Sequence, residues 1–384
     1  MTPFDLQIRT RFVHAPNAVE QLGPLAVELG AQRVLLVTDP GIRAAGHAGR
    51  GLDSLRAVEV ETELFDGVGE NPTTDHVAAG LAVAERFRPE LIVGFGGGSS
   101  MDCAKGINFL YTNGGQMRDY WGRNKAAKPL LPMIAVPTTS GTGSEAQSYA
   151  LISDAETHVK MACGDKKASF RVAILDPTLT VTQPPRVTAL TGIDALSHAL
   201  ESYVTKTRNP AAQLFAREAF VLLVRNLPRV MEDPNDLEAR GAMQVGACMA
   251  GLAIENSMLG ACHALANPLT ARFGIVHGQA IALTLPAVIR YNSYVVAAEY
   301  SQLLHALPHV DPEATDAPTI AAQLAAIVSQ EIAAAGLLTK LRDCEVPRDA
   351  LPELATEAAK QWTAEHNPRP VKQEDLLALY EASW

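Results

Sequence analysis

The chain contains 384 residues, of which 47% are hydrophobic, and carries a formal net charge of −10. This length exceeds one ordinary hydrophobic core, so we expect two domains. Acidic and basic residues are spread along the chain without a basic patch, which argues against a nucleic-acid partner. The N-terminal segment MTPFDLQIRTRF lacks the apolar stretch of a secretory signal, and no apolar run approaches membrane-spanning length. We therefore expect no membrane partner.

The five cysteines never occur at CxxC spacing. An odd number without that spacing is typical of reduced, mostly buried thiols, so we expect a cytoplasmic protein. Cys262 directly precedes a histidine, and a metal-ligand role for its thiol is an alternative that the sequence leaves open.

The first half of the chain alternates short apolar runs with helical patterns. The runs end in turn or polar residues and span residues 33–39, 90–96, 133–138 and 171–176. Such runs are typical of strands buried on both faces of a parallel sheet. A helical pattern covers residues 75–88, between the first and second runs. This alternation predicts a doubly wound α/β domain.

The second half of the chain has a different pattern. From about Pro184 the strand signal fades, and long helical patterns follow at residues 187–205, 210–226, 237–256 and 319–335. We place a domain boundary near Gln183 and Pro184. The prediction is an α/β domain over residues 1–183 and an all-helical domain over residues 184–384.

A glycine-rich loop, GFGGGSSMDCAK at residues 94–105, follows one predicted strand and opens a predicted helix. Backbone N–H groups at a helix N-terminus bind anions, and Gly96, Gly97 and Gly98 allow close approach, so pyrophosphate is the natural ligand. The spacing is not GxGxxG, and the standard Rossmann fingerprint is therefore absent. A tight strand-to-helix turn without a ligand is the alternative. Asp102 in the first helical turn also suits the helix dipole.

Polar residues follow two other predicted strands. The loop PTTSGTGSE at residues 137–145 offers hydroxyls and glycines that would complete a nucleotide site. Asp39 ends the first strand, where a carboxylate accepts hydrogen bonds from ribose hydroxyls and repels a 2′-phosphate. Asp39 is equally explained as a turn residue, since Asp-Pro-Gly favours turns. Together the loops predict a ligand at the carboxyl edge of the sheet.

One carboxylate and three imidazoles lie in apolar surroundings in the second half: Asp194, His198, His263 and His277. Asp194 and His198 are four residues apart and share a helix face. Burying such groups is costly unless they are paired or bind a metal. The set suits a first-row divalent ion such as Fe²⁺ or Zn²⁺ and leaves room for a substrate oxygen. Hydrogen-bonded core histidines are the alternative.

Several motifs together resemble the iron-dependent (group III) alcohol dehydrogenases: GGGSSMDCAK, PTTSGTGSE, DPTLT, TGIDALSHALESY and CHALANPL followed by HGQA. The resemblance covers nearly the whole chain, and the order and spacing of the motifs make it specific. It implies the fold of the dehydroquinate synthase-like enzymes and iron alcohol dehydrogenases. In that fold a Rossmann-like parallel sheet forms the nucleotide-binding domain, the C-terminal domain is all-α, and the active site lies in a cleft between them.

The resemblance also implies site residues. The metal ligands would be Asp194, His198, His263 and His277, with no catalytic residue beyond them. The cofactor-binding residues would be Asp39, Asn71, Gly96, Gly97, Gly98, Ser99, Asp102, Thr138, Thr139, Thr142, Lys160 and Leu179. Asp39 matches the position tied to NAD preference, so NAD is expected rather than NADP. Fe²⁺ is the expected metal, with Zn²⁺ as the alternative.

One position departs from the family pattern. Many members carry a second histidine four residues after the third ligand, near the nicotinamide, where it is suspected of relaying a proton. This chain has Asn267 there. An amide cannot exchange a proton usefully. The relay would then run through water and ribose hydroxyls, or proton transfer would occur elsewhere.

The implied activity is reversible hydride transfer between a primary alcohol or aldehyde and NAD(H), with the metal binding the substrate oxygen. A homodimer or larger homo-oligomer acting on a small molecule is expected. One alternative is a zinc-dependent enzyme like glycerol dehydrogenase. A cyclase resembling 3-dehydroquinate synthase would want several basic residues, and the motifs supply mainly Lys160. A non-catalytic metal- or nucleotide-binding protein is disfavoured by the complete ligand set.

Overall fold

A computed structural model describes residues 3–308, 310 and 316–384. The chain forms two compact units. The α/β unit comprises Gln7–Gln183. The helical unit comprises Pro184–Trp384 together with the N-terminal residues up to Leu6.

The α/β unit, all of whose residues are described, contains nine strands. They are β1 (Arg11–His14), β2 (Arg33–Val37), β3 (Glu61–Phe65), β4 (Leu91–Gly96), β5 (Gly122–Arg123), β6 (Met133–Pro137), β7 (Tyr149–Ser153), β8 (Lys160–Gly164) and β9 (Val172–Leu175). Six form a parallel sheet in the order β1-β9-β6-β4-β2-β3. The other three form a small sheet in the order β5-β8-β7.

The four predicted strands are confirmed as β2, β4, β6 and β9, which lie side by side in the six-stranded sheet. Every residue of β4 and β6 is buried, which is why these strands are continuous apolar runs in the sequence. The edge strands β1 and β3 carry the sequences RFVH and ETELF and are partly exposed. Because these two strands contain polar residues, they do not form the continuous apolar runs by which the other strands were predicted.

Helices cover both faces of the sheet. They are α1 (Leu22–Glu28), α2 (Pro40–Ala44), α3 (His47–Arg56), α4 (Thr74–Phe87) and α5 (Gly98–Asn113). Alternate residues of β2 face opposite cores: Leu35 packs with residues of α4 and α5, and Leu36 packs with residues of α1 and α3. The chain runs from β2 to β3 and then crosses back to β4 on the other side of β2. The carboxyl ends of β2 and β4 therefore flank a topological switch point, where such sheets bind ligands.

The described residues of the helical unit contain α-helices and short 3-10 turns but no strand. The helices are α6 (Pro185–Val204), α7 (Pro210–Glu232), α8 (Leu237–Asn256), α9 (Ala261–Phe273), α10 (His277–His305), α11 (Ala317–Ala334), α12 (Leu351–Ala358) and α13 (Gln373–Ser383). The four predicted helical segments are confirmed as α6, α7, α8 and α11. Helix α7 continues six residues past the predicted end at Asn226, through Pro228.

Helix α6 lies in the centre of this unit, and its residues from Leu196 to Val204 are all buried. Close packing requires a small residue here: a Cβ on Gly192 would lie 2.6 Å from Leu227 Cδ1 of α7. Among the described residues, α10 is long and apolar enough to cross a membrane by length and composition alone. However, 61% of its most apolar window is buried within the protein, as in a core helix.

Candidate functional site

The predicted metal ligands on α6 are buried and one helical turn apart. The Asp194 and His198 side chains are 10% and 7% exposed, and His198 Nε2 lies 3.4 Å from Asp194 Oδ1. The helix is apolar around them because it occupies the centre of the unit. The spacing of four residues therefore places both polar groups on one face, as the sequence predicted.

The other two predicted ligands come from the ends of two successive helices. His263 lies in the first turn of α9, and His277 is the first residue of α10. Gly274 closes α9 in the left-handed conformation, with φ of 63°, and lets the chain turn between them. The Nε2 atoms of both histidines lie 3.6 Å from Asp194 Oδ1. Those of His198 and His263 are 3.1 Å apart.

The donor set fits a divalent metal ion. Asp194 Oδ1 is buried and accepts no hydrogen bond within the described part of the chain. An unsatisfied buried carboxylate oxygen is costly, and three imidazole nitrogens converge on it. One donor atom from each of Asp194, His263 and His277 lies within 4.8 Å of the other two. The His277 side chain is 27% exposed, so this side of the cluster is accessible to solvent.

The charges of the cluster shift its pKa values strongly. Burial raises the pKa of Asp194, but the three imidazoles outweigh burial and hold that pKa well below its usual range. Burial lowers the pKa of His263, but the carboxylates of Glu201 and Asp194 outweigh it and raise the pKa to about 9. The site therefore favours an ionised Asp194 and strongly attracts positive charge.

Glu201 is a buried acid of the site that the sequence analysis missed. It lies on α6, and its side chain is 4% exposed. Its Oε2 is 2.5 Å from His263 Nδ1, and its Oε1 accepts a hydrogen bond of 2.8 Å from the Cys262 N–H. Its position three residues after His198 and seven after Asp194 was the signal that could have revealed it, because that spacing shares one helix face.

Two residues near the cluster, Cys262 and Asn267, have side-chain partners outside it. The thiol of Cys262 contacts Thr284 Oγ1 at 3.4 Å, and burial raises its pKa well above the usual value. Asn267 lies one turn after His263 on α9, is partly buried, and donates a hydrogen bond of 3.0 Å from Nδ2 to Gln361 Oε1. A neutral amide held by a second amide thus occupies the position at which the family resemblance implies a histidine.

The predicted cofactor residues lie mainly at the carboxyl ends of four adjacent strands. Asp39 follows β2, the glycine loop follows β4, the threonine loop follows β6, and the 3-10 turn Pro177–Leu179 follows β9. These strands are neighbours in the order β9-β6-β4-β2. The fold therefore brings most of the predicted cofactor residues to one edge of the sheet.

The glycine loop requires glycine at Gly96. This residue has φ of +143°, and a Cβ there would lie 2.6 Å from Ser100 Oγ and 3.2 Å from Asp39 Oδ2. Helix α5 begins at Gly98, and no side chain caps its N-terminus. Ser99, in this first turn, is partly buried. Uncapped N–H groups at a helix N-terminus are suited to a phosphate.

The structure shows one of the two roles that the sequence left open for Asp39, that of a turn residue. Its Oδ1 accepts a hydrogen bond of 3.0 Å from the Ile42 N–H and caps α2. Its Oδ2 accepts one of 3.3 Å from Ser100 Oγ on α5. The carboxylate is partly exposed at the switch point between β2 and β4. Asp39 therefore caps α2 and still lies at the edge of the sheet where the nucleotide is predicted to bind.

The threonine loop packs directly against the glycine loop. A Cβ on Gly98 would lie 2.6 Å from Thr142 Cγ2, and one on Gly97 would lie 3.5 Å from Thr139 Cγ2. Thr138 Oγ1 is buried and has no hydrogen-bond partner among the described residues. The two loops therefore form one continuous surface.

Asp102 fastens the threonine loop to α5. Its Oδ1 accepts a hydrogen bond of 2.6 Å from Ser144 Oγ, and its Oδ2 accepts one of 3.2 Å from the Leu151 N–H. Burial raises the pKa of Asp102, and the nearby Lys105 partly offsets this. These contacts give the buried carboxylate a structural role in shaping the loops.

The remaining predicted cofactor residues lie in three places. Lys160 is exposed and begins β8, where it is paired with Ser153 of β7. The Ser153 N–H donates to the Pro72 carbonyl at 2.9 Å, which brings the turn at Asn71 beside this hairpin. Asn71 is exposed and has φ of 51°. Leu179 is 1% exposed and packs in the core beneath the sheet edge.

Comparison with known proteins gives the relatives of this chain. The iron-containing alcohol dehydrogenase family matches residues 9–177, and the C-terminal part of the Fe-containing alcohol dehydrogenase family matches residues 188–384. The chain is 34% identical to a 1,3-propanediol dehydrogenase of Klebsiella pneumoniae, with 99% of each protein covered. It is 33% identical to an NAD-dependent methanol dehydrogenase of Bacillus methanolicus, over 94% of this chain and 95% of that protein.

A solved structure agrees with these matches. A 1,3-propanediol oxidoreductase has a TM-score of 0.96 and 33% sequence identity, with 100% of both chains covered. The fold and the matches define a metal-dependent alcohol oxidoreductase. The chain belongs to the iron-containing alcohol dehydrogenase family. The resemblance in the sequence motifs and the predicted fold class are thereby confirmed.

Proposed function

We propose that this protein transfers a hydride reversibly between a small primary alcohol or its aldehyde and NAD(H). We further propose that it does so with a divalent ion held by Asp194, His198, His263 and His277. The observation that carries this proposal is the convergence of three imidazole nitrogens on the buried Oδ1 of Asp194. Fe²⁺ is the proposed ion, in keeping with the family, and Zn²⁺ suits the same ligands.

When bound, a divalent ion supplies Lewis-acid stabilisation of the negative charge that develops on the substrate oxygen. The protein holds three of the four donors in a buried cluster and leaves His277 partly exposed, which gives a substrate access from that side. Glu201 accepts a hydrogen bond from the Nδ1–H of His263 and orients its ring. Asn267 can donate and accept hydrogen bonds but cannot carry the alcohol proton. That proton therefore leaves through water or ribose hydroxyls.

The proposed cofactor site is the edge of the sheet formed by the glycine and threonine loops. The uncapped start of α5 would bind the pyrophosphate, and Asp39 would accept hydrogen bonds from ribose hydroxyls. A carboxylate at that position repels the 2′-phosphate of NADP, so NAD is the proposed cofactor. A relative named as an NAD-dependent methanol dehydrogenase supports this choice.

The proposal extends to the substrate class, the cellular location and the assembly. Relatives named for 1,3-propanediol and methanol support small primary alcohols and their aldehydes as substrates. All five cysteines are free thiols, which supports a location in the reducing cytoplasm. A homodimer or larger homo-oligomer is proposed from the family resemblance.

The direct test is a metal-reconstituted activity screen. Apo-protein is supplied with Fe²⁺, Zn²⁺, Ni²⁺ or Co²⁺ and assayed with NADH or NADPH against short aldehydes, hydroxyaldehydes and phosphonoaldehydes. We expect NADH-dependent reduction with Fe²⁺, and its loss together with the metal in His263→Ala. The control is His305→Ala, which removes an exposed histidine of the same unit. NADH-dependent aldehyde reduction by metal-free His263→Ala would refute the proposed site.

A further inference from the structure

Helix α6 carries a third polar residue on its ligand face. Glu201 lies three residues after His198 and seven after Asp194, so all three side chains share one side of the helix. Its side chain is 4% exposed. A buried carboxylate needs hydrogen-bond donors, and it finds both of its donors on α9.

The two oxygens of Glu201 bind two different groups. Oε1 accepts the N–H of Cys262 at 2.8 Å, and Oε2 lies 2.5 Å from His263 Nδ1. A carboxylate oxygen accepts hydrogen bonds, so Nδ1 of His263 is the donor of this pair. In the neutral imidazole, which is the form that binds a metal, Nε2 is then the ring nitrogen that faces the other ligands.

Local packing makes room for this carboxylate. A Cβ on Gly260 would lie 3.0 Å from Glu201 Oε1 and 2.9 Å from Asn367 Oδ1, so only glycine fits without a shift. Asn367 Oδ1 accepts the N–H of Ala261 at 3.1 Å. The first N–H groups of α9 are thus held by two side chains from other parts of the unit, and Glu201 is the one that also reaches a ligand.

We propose that Glu201 is a positioning residue of the metal centre, which ties His263 to α6 and holds the tautomer whose Nε2 faces the metal. Through it, α6 controls three of the four ligands: Asp194 and His198 directly, and His263 by way of the carboxylate. This inference rests on the proposed function, because it requires that the four residues hold a divalent ion. Such partners of a ligating histidine typically affect metal affinity about ten- to hundred-fold.

The decisive variant is Glu201→Gln, which keeps the shape of the side chain and reverses one hydrogen bond. The amide oxygen can still accept the N–H of Cys262, but the amide nitrogen donates toward His263 Nδ1. The proton of the imidazole is then driven to Nε2, which blocks the metal. Glu201→Asp keeps a carboxylate, but its side chain is one methylene shorter and holds that group farther from His263. We therefore expect a smaller loss of metal affinity.

The measurement is Co²⁺ binding to apo-protein, by competition with a chromogenic chelator, with the visible absorption of bound Co²⁺ as a second readout. We expect Glu201→Gln to bind Co²⁺ about ten- to hundred-fold more weakly than the wild type. The expected loss in Glu201→Asp is several-fold. The control, Glu331→Gln, removes a partly buried carboxylate on α11 of the same unit and should bind Co²⁺ like the wild type.

The outcomes separate the two levels of the proposal. Equal Co²⁺ affinity in the wild type and in both Glu201 variants overturns the positioning role and leaves the proposed function intact. Failure of the wild type to bind Co²⁺ overturns the metal centre and the positioning role with it. If Glu201→Gln does not fold as apo-protein, Glu201→Asp decides: wild-type affinity there overturns the inference, and weakened binding with an unchanged unfolding temperature supports it.

Discussion

Two buried acids on α6 have different partners. Asp194 Oδ1 faces three imidazole nitrogens and accepts no hydrogen bond among the described residues, whereas both oxygens of Glu201 have a partner on α9. A buried acceptor left unsatisfied costs about 1–3 kcal/mol, and more when it is charged. A cation beside Asp194 would remove that cost. Asp194 is therefore suited to bind a metal, whereas Glu201 is suited to hold a ligand in place.

Asn267 is the residue at which proton transfer should differ from that of relatives with a histidine. In Asn267→His, we expect kcat/KM for alcohol oxidation to rise with pH through about 6.5, the usual pKa of histidine. The neutral imidazole above that pH can accept the alcohol proton, and the imidazolium below it cannot. The measurement is a pH–rate profile from pH 5 to 9.

Asn267→Ala is the matched control for that profile. It removes the hydrogen bond to Gln361 without adding an ionisable group, so its profile should keep the shape of the wild type. The metal content of both variants should equal that of the wild type, because Asn267 is not a proposed ligand. An identical profile for all three proteins would show that a histidine at this position takes no part in proton transfer.

Gly96 tests the shape of the glycine loop. We expect Gly96→Ala to destabilise the protein by about 1–3 kcal/mol, because alanine is strained at positive φ. NADH affinity should fall as well, since the new methyl group would lie 2.6 Å from Ser100 Oγ and displace the loop. Thermal unfolding and an NADH titration measure the two effects.

Gly49→Ala is the control for that substitution. Gly49 lies in α3, and a Cβ there meets nothing within 4 Å. Alanine favours a helix more than glycine does, so this variant should gain up to about 1 kcal/mol of stability and keep its NADH affinity. Equal behaviour of the two variants would contradict the role given to the loop.

At the scale of elements, α5 and the threonine loop are fastened by a buried lysine. Lys105 Nζ donates to the Ser144 carbonyl at 2.9 Å and to the Tyr149 carbonyl at 2.7 Å, and its side chain is 0% exposed. Asp102 lies 3.6 Å from the same Nζ. The two loops that form the proposed nucleotide surface therefore depend on this pair for their spacing.

Lys105→Met should destabilise the α/β unit by about 3–5 kcal/mol, because it leaves the buried carboxylate of Asp102 without its positive partner and two carbonyls without their donor. Adding Asp102→Asn should cost less than the sum of the single changes, since the unpaired charge is then removed. Urea unfolding of the full chain measures these losses. Lys166→Met, at an exposed lysine, is the control and should unfold like the wild type. A wild-type midpoint for Lys105→Met would contradict the fastening role.

The sequence could predict elements whose signal is local. The strands β2, β4, β6 and β9 are apolar because both faces of the sheet are covered. Each of these apolar runs can therefore be recognised from its own residues, without knowing which strands pair with it. The edge strands β1 and β3 are set by pairing with distant segments and are too polar to be recognised alone. Helix α7 passes through Pro228 because tertiary packing of the turn after Asn226 outweighs the local preference of proline.

Across the whole molecule, the sequence could predict the four ligands and could place Glu201 on their helix face, but it could not predict which residues Glu201 and Asn267 contact. Each proposed ligand is a polar residue in apolar sequence, which is a local signal. Glu201 meets His263 across 62 residues, and Asn267 meets Gln361 across 94 residues. Such pairs depend on how α6, α9 and the C-terminal segment pack, and no spacing in the sequence encodes that packing.

We propose that one divalent ion, bound by the four residues of the helical unit, enables hydride transfer. The most direct test of this proposal is an anaerobic titration of apo-protein with Fe²⁺ while NADH oxidation by propionaldehyde is followed. We expect no turnover without metal and a rate that rises with Fe²⁺ and levels off at one ion per chain. A rate independent of Fe²⁺, or equal turnover by metal-free protein, would contradict the proposal.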